Sequence, residues 1–254
     1  MDFSMQRANG WKRISAFLFD AICLSMLAVA FAYLISIITG YNEKITRLNE
    51  IYKRYESEYG IVFNITQEEY ENYTPEKKAG YDAALSALSS DSEAMRLFQL
   101  VSNLMLLMIT FGLLAAFLIV EFLVPLRLKD GRTFGKKIFG IAVMDVEAVR
   151  IRTVQLFVRT LLGKFACETM IPVYMIVMLF FNNTISLFGL IVTAGLLIGQ
   201  AVIFLTTETR SLIHDKLAQT VVVDYASQKI FETREEMIAA KAQAAAEKAA
   251  HREW

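Results

Sequence analysis

The chain contains very few of the residues that build metal, redox and hydrolytic sites. Among its 254 residues there are two cysteines, Cys23 and Cys167, and two histidines, His214 and His251. Both cysteines lie in apolar segments and fit neither a disulfide framework nor a Cys-x-x-Cys site, so we interpret them as small packing residues. No second His or Cys stands at ligand spacing from His214, so the sequence predicts no metal centre and no cofactor.

The chain also lacks an excess of either charge and any signature of acyl chemistry. Its 26 basic and 26 acidic side chains leave a formal net charge of +0, which excludes a polybasic nucleic-acid binder. No Gly-x-Ser-x-Gly nucleophile motif occurs, and the Ser, His and Asp residues show no recognisable triad order. The sequence therefore predicts a protein that is not an enzyme.

Hydrophobic residues, by contrast, make up 55% of the chain and are concentrated in long runs. A bilayer core about 30 Å thick requires roughly 20 residues of helix. Four runs are long enough, over residues 14–39, 98–124, 154–180 and 185–206, with Pro125 expected to end the second. Only Asn182-Asn183-Thr184 separates the last two runs, which predicts a tight antiparallel hairpin. The predicted fold is an all-α polytopic membrane protein with a four-helix transmembrane bundle.

The distribution of Lys and Arg beside these runs predicts their orientation. Basic residues gather before the first run and in the loop after the second, as is typical of cytoplasmic segments. We therefore expect a multi-pass protein of the plasma membrane with both termini in the cytoplasm. The predicted regions are the N-terminus with the first span (1–40), an extracytoplasmic helical loop (41–97), the second span (98–125), a basic cytoplasmic loop (126–153), the hairpin of the third and fourth spans (154–206), and a tail with a charged Ala-rich helix (207–254).

The extracytoplasmic loop carries helix signals of its own. Apolar residues from Ile45 to Tyr59 recur at helical spacing, Thr66 and Glu69 form a capping box, and Thr74 before Pro75 is an N-cap followed by a favoured first-turn proline. We expect two or three short helices here. Gating, partner binding and simple covering of the bundle all remain open as their role.

The basic loop contains the most distinctive stretch of the chain, residues 130–143. Its glycines Gly131 and Gly135 are too close together for a Walker A loop, and Lys137 stands where that motif needs a hydroxyl, which argues against nucleotide binding. The residues favour a turn, a short segment carrying the Lys pair, and then a β-hairpin that joins Ile141–Asp145 to Val149–Arg152.

Asp20 lies inside the first apolar run, at a depth where an ionised carboxylate costs roughly 2.5–3.5 kcal/mol. Such a residue either handles an ion or proton or is a structural carboxylate tied to a buried base, and the sequence leaves both open. Arg13 is too far along the same helix to pair with it directly. We predict a polar cluster of Asp20, Arg159 and Glu121 in the inner half of the bundle, with Arg13 and Asp215 at its mouth. Lys136 and Lys164 are further candidate partners of Asp20.

Several of these residues together resemble the RDD family of membrane proteins, which is named for one Arg and two Asp. The resemblance rests on the first-span pair, the basic loop, the start of the third run and the segment after the fourth: Arg13, Asp20, Gly131, Gly135, Lys136, Gly140, Arg159, His214, Asp215 and Thr220. It matches the Arg to Arg13 and the two Asp to Asp20 and Asp215. The chain departs from the pattern at Gln219, where Gly is usual, and at Val146-Glu147, which replaces a hairpin turn. Residues 41–97 and the tail after about Asp224 lie outside it.

The resemblance implies a transport role, with cation/proton exchange for some members and accessory or regulatory roles for others. The first hypothesis is a cation- or proton-coupled, or small-solute, transporter that uses Asp20 within the bilayer. Four spans are few for a monomeric carrier, so this hypothesis requires a homo-oligomer. The second is a non-transporting accessory protein that binds a membrane partner through the outer loop or the C-terminal helix. Expected partners are the lipid bilayer and a monovalent cation or proton, and no nucleic acid.

Overall fold

A computed structural model describes residues 6–128, 130–170 and 212–250 of the chain, together with residues 172, 194–195, 198–199, 201–202 and 205–206. Within these residues, two continuous helical stretches are long and apolar enough to cross a bilayer, Gly10–Thr39 and Ser92–Leu128. The first of them, α1, keeps large apolar side chains such as Phe17, Ile22 and Met26 exposed. This outward apolar surface suits contact with lipid rather than with water.

Helix α1 (Gly10–Thr39) is bounded by two local signals. The side chain of Asn9 accepts a hydrogen bond from the Trp11 backbone N–H at the start, and Gly40 adopts a left-handed φ of 62° at the end. Gly40 is suited to this conformation because it lacks a Cβ. The next helix, α2 (Tyr41–Tyr59), begins directly after it. The chain therefore changes direction at Gly40 without a connecting loop.

The predicted outer loop folds as α2, α3 (Gln67–Glu71) and α4 (Pro75–Ser90). The capping box of Thr66 and Glu69 and the Thr74 cap before Pro75 are confirmed. Two of the three helices are longer than expected. Buried residues of α2 and of the helix that follows α4, which begins at Ser92, form a separate hydrophobic core: Leu48, Ile51, Ala94, Leu97 and Val101.

The second long helical stretch consists of α5 (Ser92–Phe117), a π-helical segment π1 (Leu118–Leu123) and α6 (Val124–Leu128). The prediction that Pro125 ends this helix is wrong, because Pro125 lies buried inside α6. Proline lacks a backbone N–H, and the helix accommodates it directly after a stretch in which the bonding register has changed, with the Val124 N–H donating to the Ile119 carbonyl.

The basic loop forms α7 (Phe134–Ile138) and strand β1 (Ile141–Asp145). The predicted hairpin between β1 and residues 149–152 is much shorter than expected, with one hydrogen bond from the Asp145 N–H to the Val149 carbonyl beside the bridge of Arg150 to Met144. Strand β1 pairs along its whole length with β2 (Thr220–Asp224), while Arg150 contributes only an isolated bridge to Met144. Both strands are rich in β-branched and apolar residues, and their pairing buries Ala142, Met144, Val221 and Val223.

The third predicted span begins as α8 (Thr153–Phe157) and continues as a second π-helical segment, π2 (Val158–Glu168). Most of the third run beyond residue 170, the Asn182-Asn183-Thr184 loop and most of the fourth run lie outside the described residues. A short helix, α9 (Ile213–Leu217), precedes β2, and the tail contains α10 (Arg234–Ala250).

Candidate functional site

The helices enclose a group of buried ionisable side chains that we call the charged network. It brings together α1, π1, α7, π2 and α9. Four basic residues and four carboxylates balance one another in formal charge, with a histidine beside them. The network consists of Arg13, Asp20, Glu121, Lys136, Arg159, Lys164, Glu168, His214 and Asp215.

Asp20 attaches α7 to α1. Its carboxylate accepts hydrogen bonds from the Thr133 hydroxyl and, at 2.8 Å, from the Gly135 backbone N–H. Thr133 is the N-cap of α7, so the carboxylate of one helix supplements the cap of another. This arrangement, Asp20 with Thr133 and Gly135, is the first docking contact. It explains how a carboxylate that is 3% exposed is accommodated.

Gly135 makes this contact sterically feasible. A Cβ built at Gly135 would lie 2.3 Å from the Ala16 carbonyl oxygen and 3.0 Å from the Asp20 carboxyl carbon. No side chain larger than hydrogen therefore fits while α7 keeps this distance from α1. The second glycine of the motif, Gly131, has a φ of 67°, and Gly140 ends α7 with a φ of 64°.

Lys136 lies between two carboxylates. Its ammonium donates to the Thr133 hydroxyl at 3.1 Å and to Glu121 Oε2 at 3.5 Å, and its nitrogen is 3.9 Å from Asp20 Oδ2. Burial lowers the pKa of Lys136 to about 8, although the Glu121 charge opposes the shift. On the other side of Glu121, Lys164 Nζ is 2.6 Å from Oε1. Glu121 is thus placed between two lysines.

Arg159 and Asp215 form the centre of a second group. Arg159 donates to Asp215 Oδ1 and, at 2.6 Å, to the Thr220 hydroxyl, while Arg13 reaches Asp215 Oδ2 at 3.4 Å. We call Arg159 with Asp215 and Thr220 the second docking contact, because it joins π2 to α9 and β2. Burial raises the pKa of Asp215, but Arg159, His214 and Arg13 outweigh that effect and hold it well below the usual range.

His214 is buried beside this pair. Its Nδ1 lies 2.7 Å from Glu168 Oε1, and its Nε2 lies 3.1 Å from an Arg159 nitrogen. Burial lowers the pKa of His214 below its ordinary value of 6.5, although the Asp215 charge acts in the opposite direction. A Cβ at Gly163 would lie 2.6 Å from the His214 Cβ, so this glycine allows α9 to approach π2.

The predicted cluster is wrong in two details. Arg159 pairs with Asp215 and not with Asp20, and of the three candidate bases Lys136 is the one that lies beside Asp20. Asp215 is 0% exposed, so it does not form an open mouth with Arg13. The prediction assumed that position along the membrane normal decides which charges meet, whereas the short helices α7 and α9 carry their side chains to separate partners.

Sequence reasoning missed other members of the site. Thr133, Glu168 and Gly163 each fix a charged partner, and both π-helical segments contain network residues. Such segments are often found at functional sites. Pro125, in the helical turn after the buried charge of Glu121, was an available signal for the first of them, whereas nothing in the sequence marks the second.

A family model described as the RDD family matches residues 7–219. The chain belongs to the RDD family. It is therefore a membrane protein, and its apolar helices contact the lipid bilayer. The three residues that the resemblance assigned to this family's name are divided between the two docking contacts, Asp20 in the first and Asp215, with Arg13 bound to it, in the second. No curated protein and no solved structure matches the chain.

Proposed function

We propose that this RDD protein is a cation/proton-coupled transporter of the plasma membrane. The observation that carries this proposal is a buried network in which four carboxylates face four basic groups at the inner ends of apolar helices. Ionisable groups at this depth are costly and usually mark ion or proton pathways.

The charge balance of the network supports an exchange mechanism. Entry of one monovalent cation among these groups adds a positive charge in a region of low dielectric constant. Release of one proton from the network restores the balance, so the two ions are coupled in opposite directions. Carboxylate oxygens of Asp20 or Glu121 supply the hard ligands that an alkali cation requires.

The arrangement in the membrane is part of the same proposal. The charged network lies beside the Lys- and Arg-rich loop, which the positive-inside rule assigns to the cytoplasm. We therefore propose four spans with both termini inside, assembled as a homo-oligomer. We further propose that the protein acts without enzymatic chemistry.

The direct test is reconstitution of the purified chain into vesicles that contain a pH dye. Pulses of sodium, potassium or lithium should change the internal pH in vesicles with the wild-type chain and not in protein-free vesicles. Asp20→Asn should reduce the flux strongly, because it weakens the contact that places Lys136 beside Glu121. Absence of cation-driven proton flux with folded wild-type protein would refute the proposal.

A second candidate is a non-transporting accessory protein, and one observation favours it. The outer helices α2 and α4 and the start of α5 pack as a unit, with Leu48, Ile51 and Ala94 in a core of their own. A preformed surface of this kind is suited to a membrane partner. Under this alternative the charged network only joins the helices, and neither the wild-type chain nor the Asp20→Asn variant gives flux.

A further inference from the structure

Two segments on the cytoplasmic side have the same local structure. Each is a five-residue helix, a residue with positive φ, and a five-residue strand with four buried positions: α7 and β1 around Gly140, and α9 and β2 around Gln219. When the two segments are aligned, Lys137 corresponds to Lys216 and Asp145 to Asp224. Gln219 therefore takes up, at a φ of 53°, the conformation that Gly140 takes up in the first segment.

The pairing of β1 with β2 obeys the same correspondence. Val143 pairs with Val222, which is its own counterpart in the alignment, and the ladder extends equally on both sides, from Ile141–Asp224 to Asp145–Thr220. An antiparallel ladder centred on a pair of equivalent residues has a local two-fold axis that passes midway between the two residues.

The hydrogen bonds around the sheet repeat in matched pairs. The N–H of Asp224 donates to the Gln6 carbonyl, and the N–H of Asp145 donates to the Val149 carbonyl. Likewise the N–H of Tyr225 donates to the Gly140 carbonyl, and the N–H of Val146 donates to the Gln219 carbonyl. The isolated bridges match as well, because Arg7 pairs with Val223 and Arg150 pairs with Met144. Every one of these pairs follows the alignment of α7–β1 with α9–β2.

The long helices follow the same rule. Arg7 stands two residues before the N-cap Asn9 of α1, and Arg150 stands two residues before the N-cap Arg152 of α8. Each of the two short helices packs against the first long helix of its own half, at a glycine that brings the backbones close: Gly135 on α7 against α1, and Gly163 on π2 against α9.

We propose that the chain is an internal duplication about a pseudo-two-fold axis that passes between Val143 and Val222, and that Glu121, at the interface of the halves, binds the transported cation. The first half runs from Arg7 to Asp145, with the outer helices as an insertion, and the second from Arg150 to Asp224. The part that concerns Glu121 rests on the proposed transport function, whereas the duplication does not.

Asp20 and Asp215 have the properties of structural residues in this arrangement. Asp20 accepts the hydroxyl and N–H donors of its own half's short helix, and Asp215 is held by Arg159 of its own half and by Arg13. Each attaches a short helix to a long one. Release of either carboxylate to a mobile ion would undo that attachment.

Glu121 differs because this residue of the first half is in contact with two residues of the second half, Lys164 and Thr160, neither of which lies on a short helix. Its Oε2 faces Lys136 of the first half at 3.5 Å, and its Oε1 faces Lys164 of the second half at 2.6 Å. Its backbone carbonyl accepts the hydroxyl of Thr160, also of the second half, at 2.9 Å. Carriers built from repeats bind substrate at the interface between the repeats. Glu121 is therefore the carboxylate whose neighbours can separate without detaching a short helix.

The test compares two charge-balanced pairs of substitutions in the full-length chain. The chain with Glu121→Gln and Lys164→Gln should unfold near the wild-type temperature. The unfolding temperature of the wild type should rise when sodium chloride replaces choline chloride, and this rise should be absent from the double variant. Its flux in vesicles should be lower by about tenfold or more. The matched control, Asp215→Asn with Arg159→Gln, should lower the unfolding temperature and retain the sodium-dependent rise. Glu121→Asp, which keeps the charge, should fold and require about tenfold more sodium for half-maximal flux.

Each outcome bears on a different statement. The assignment of Glu121 would be overturned if flux and sodium response were undiminished in two chains, the one with Glu121→Gln and Lys164→Gln and the one with Glu121→Asp. Transport itself would still stand. A wild-type chain that shows neither flux nor a sodium response would refute the proposed function itself.

The duplication has a test that needs no transport. Ala16 and Arg159 stand equally far from their N-caps, and Lys136 corresponds to Asp215. Lys136→Asp should lower the unfolding temperature, and adding Ala16→Arg should recover part of the loss by recreating the second docking contact in the first half. Further destabilisation by Ala16→Arg in the Lys136→Asp background would overturn the equivalence.

Discussion

The two docking contacts solve one packing problem with opposite charges. In the first, the long helix supplies the carboxylate of Asp20 and the short helix supplies the donors. In the second, the long helix supplies the guanidinium of Arg159 and the short helix supplies Asp215. The glycine that permits the close approach also differs in position. Gly135 lies on the short helix of the first contact, and Gly163 lies on the long helix of the second. The close approach of the backbones is common to both contacts, and the charges that secure it differ.

The largest loss of unfolding free energy should appear when the guanidinium of the second docking contact, on Arg159, is removed. Arg159→Met leaves Asp215, which is 0% exposed, with Arg13 at 3.4 Å as its remaining basic partner apart from His214. Breaking a buried pair in this way costs about 3–5 kcal/mol, which thermal unfolding in detergent would measure. Arg159→Lys, which keeps the charge, should cost clearly less. Equal losses for the two variants would show that guanidinium packing, and not charge, secures this contact.

The glycines test whether backbone approach is the shared requirement. Gly135→Ala places a Cβ 2.3 Å from the Ala16 carbonyl oxygen, and Gly163→Ala places one 2.6 Å from the His214 Cβ. Each should cost about 1–3 kcal/mol of unfolding free energy through overpacking. Gly80→Ala is the control, because the nearest atom to its Cβ is 3.8 Å away and α4 should gain about 0.5–1 kcal/mol. A neutral Gly135→Ala would contradict the proposed role of close approach.

The smallest expected effect is the pH dependence that His214 gives to the second docking contact. The folded state holds the pKa of His214 below 6.5, so the folded state binds fewer protons there than the unfolded state. The stabilisation is therefore fully present above pH 6.5 and is lost as the pH falls below that value. The groups that face the ring are Glu168, Asp215 and Arg159. Unfolding temperatures between pH 7.5 and 5 should fall less steeply for His214→Gln than for the wild type.

Sequence patterns predicted the local features of this chain well. The capping box at Thr66, the N-cap at Thr74 and strand Ile141–Asp145 follow from neighbouring residues, and so does the apolar helix that contains Asp20. Interactions within one turn or one strand decide these features.

The predictions failed where the outcome depends on distant segments. The turn after Asp145 predicted a hairpin as the pairing of β1, but on that edge only Arg150 bridges to the strand, whereas Thr220–Asp224 pairs along the whole of the other edge. Likewise, Arg159 was within plausible reach of either Asp20 or Asp215, and only the position of α9 decides between them. The family resemblance singled out most of the buried charges but not which of them meet.

The pairing of β1 with β2 also has a consequence for biosynthesis. Strand β1 emerges from the ribosome before the whole of the second half, and its partner β2 begins directly after the matched region, which ends at residue 219. Until then, β1 has not met its partner strand Thr220–Asp224, and the contact of Arg13 with Asp215 has not formed. Contacts between segments this far apart in sequence form slowly. Until β2 has been made, the chain therefore lacks the strand pairing that buries Ala142, Met144, Val221 and Val223.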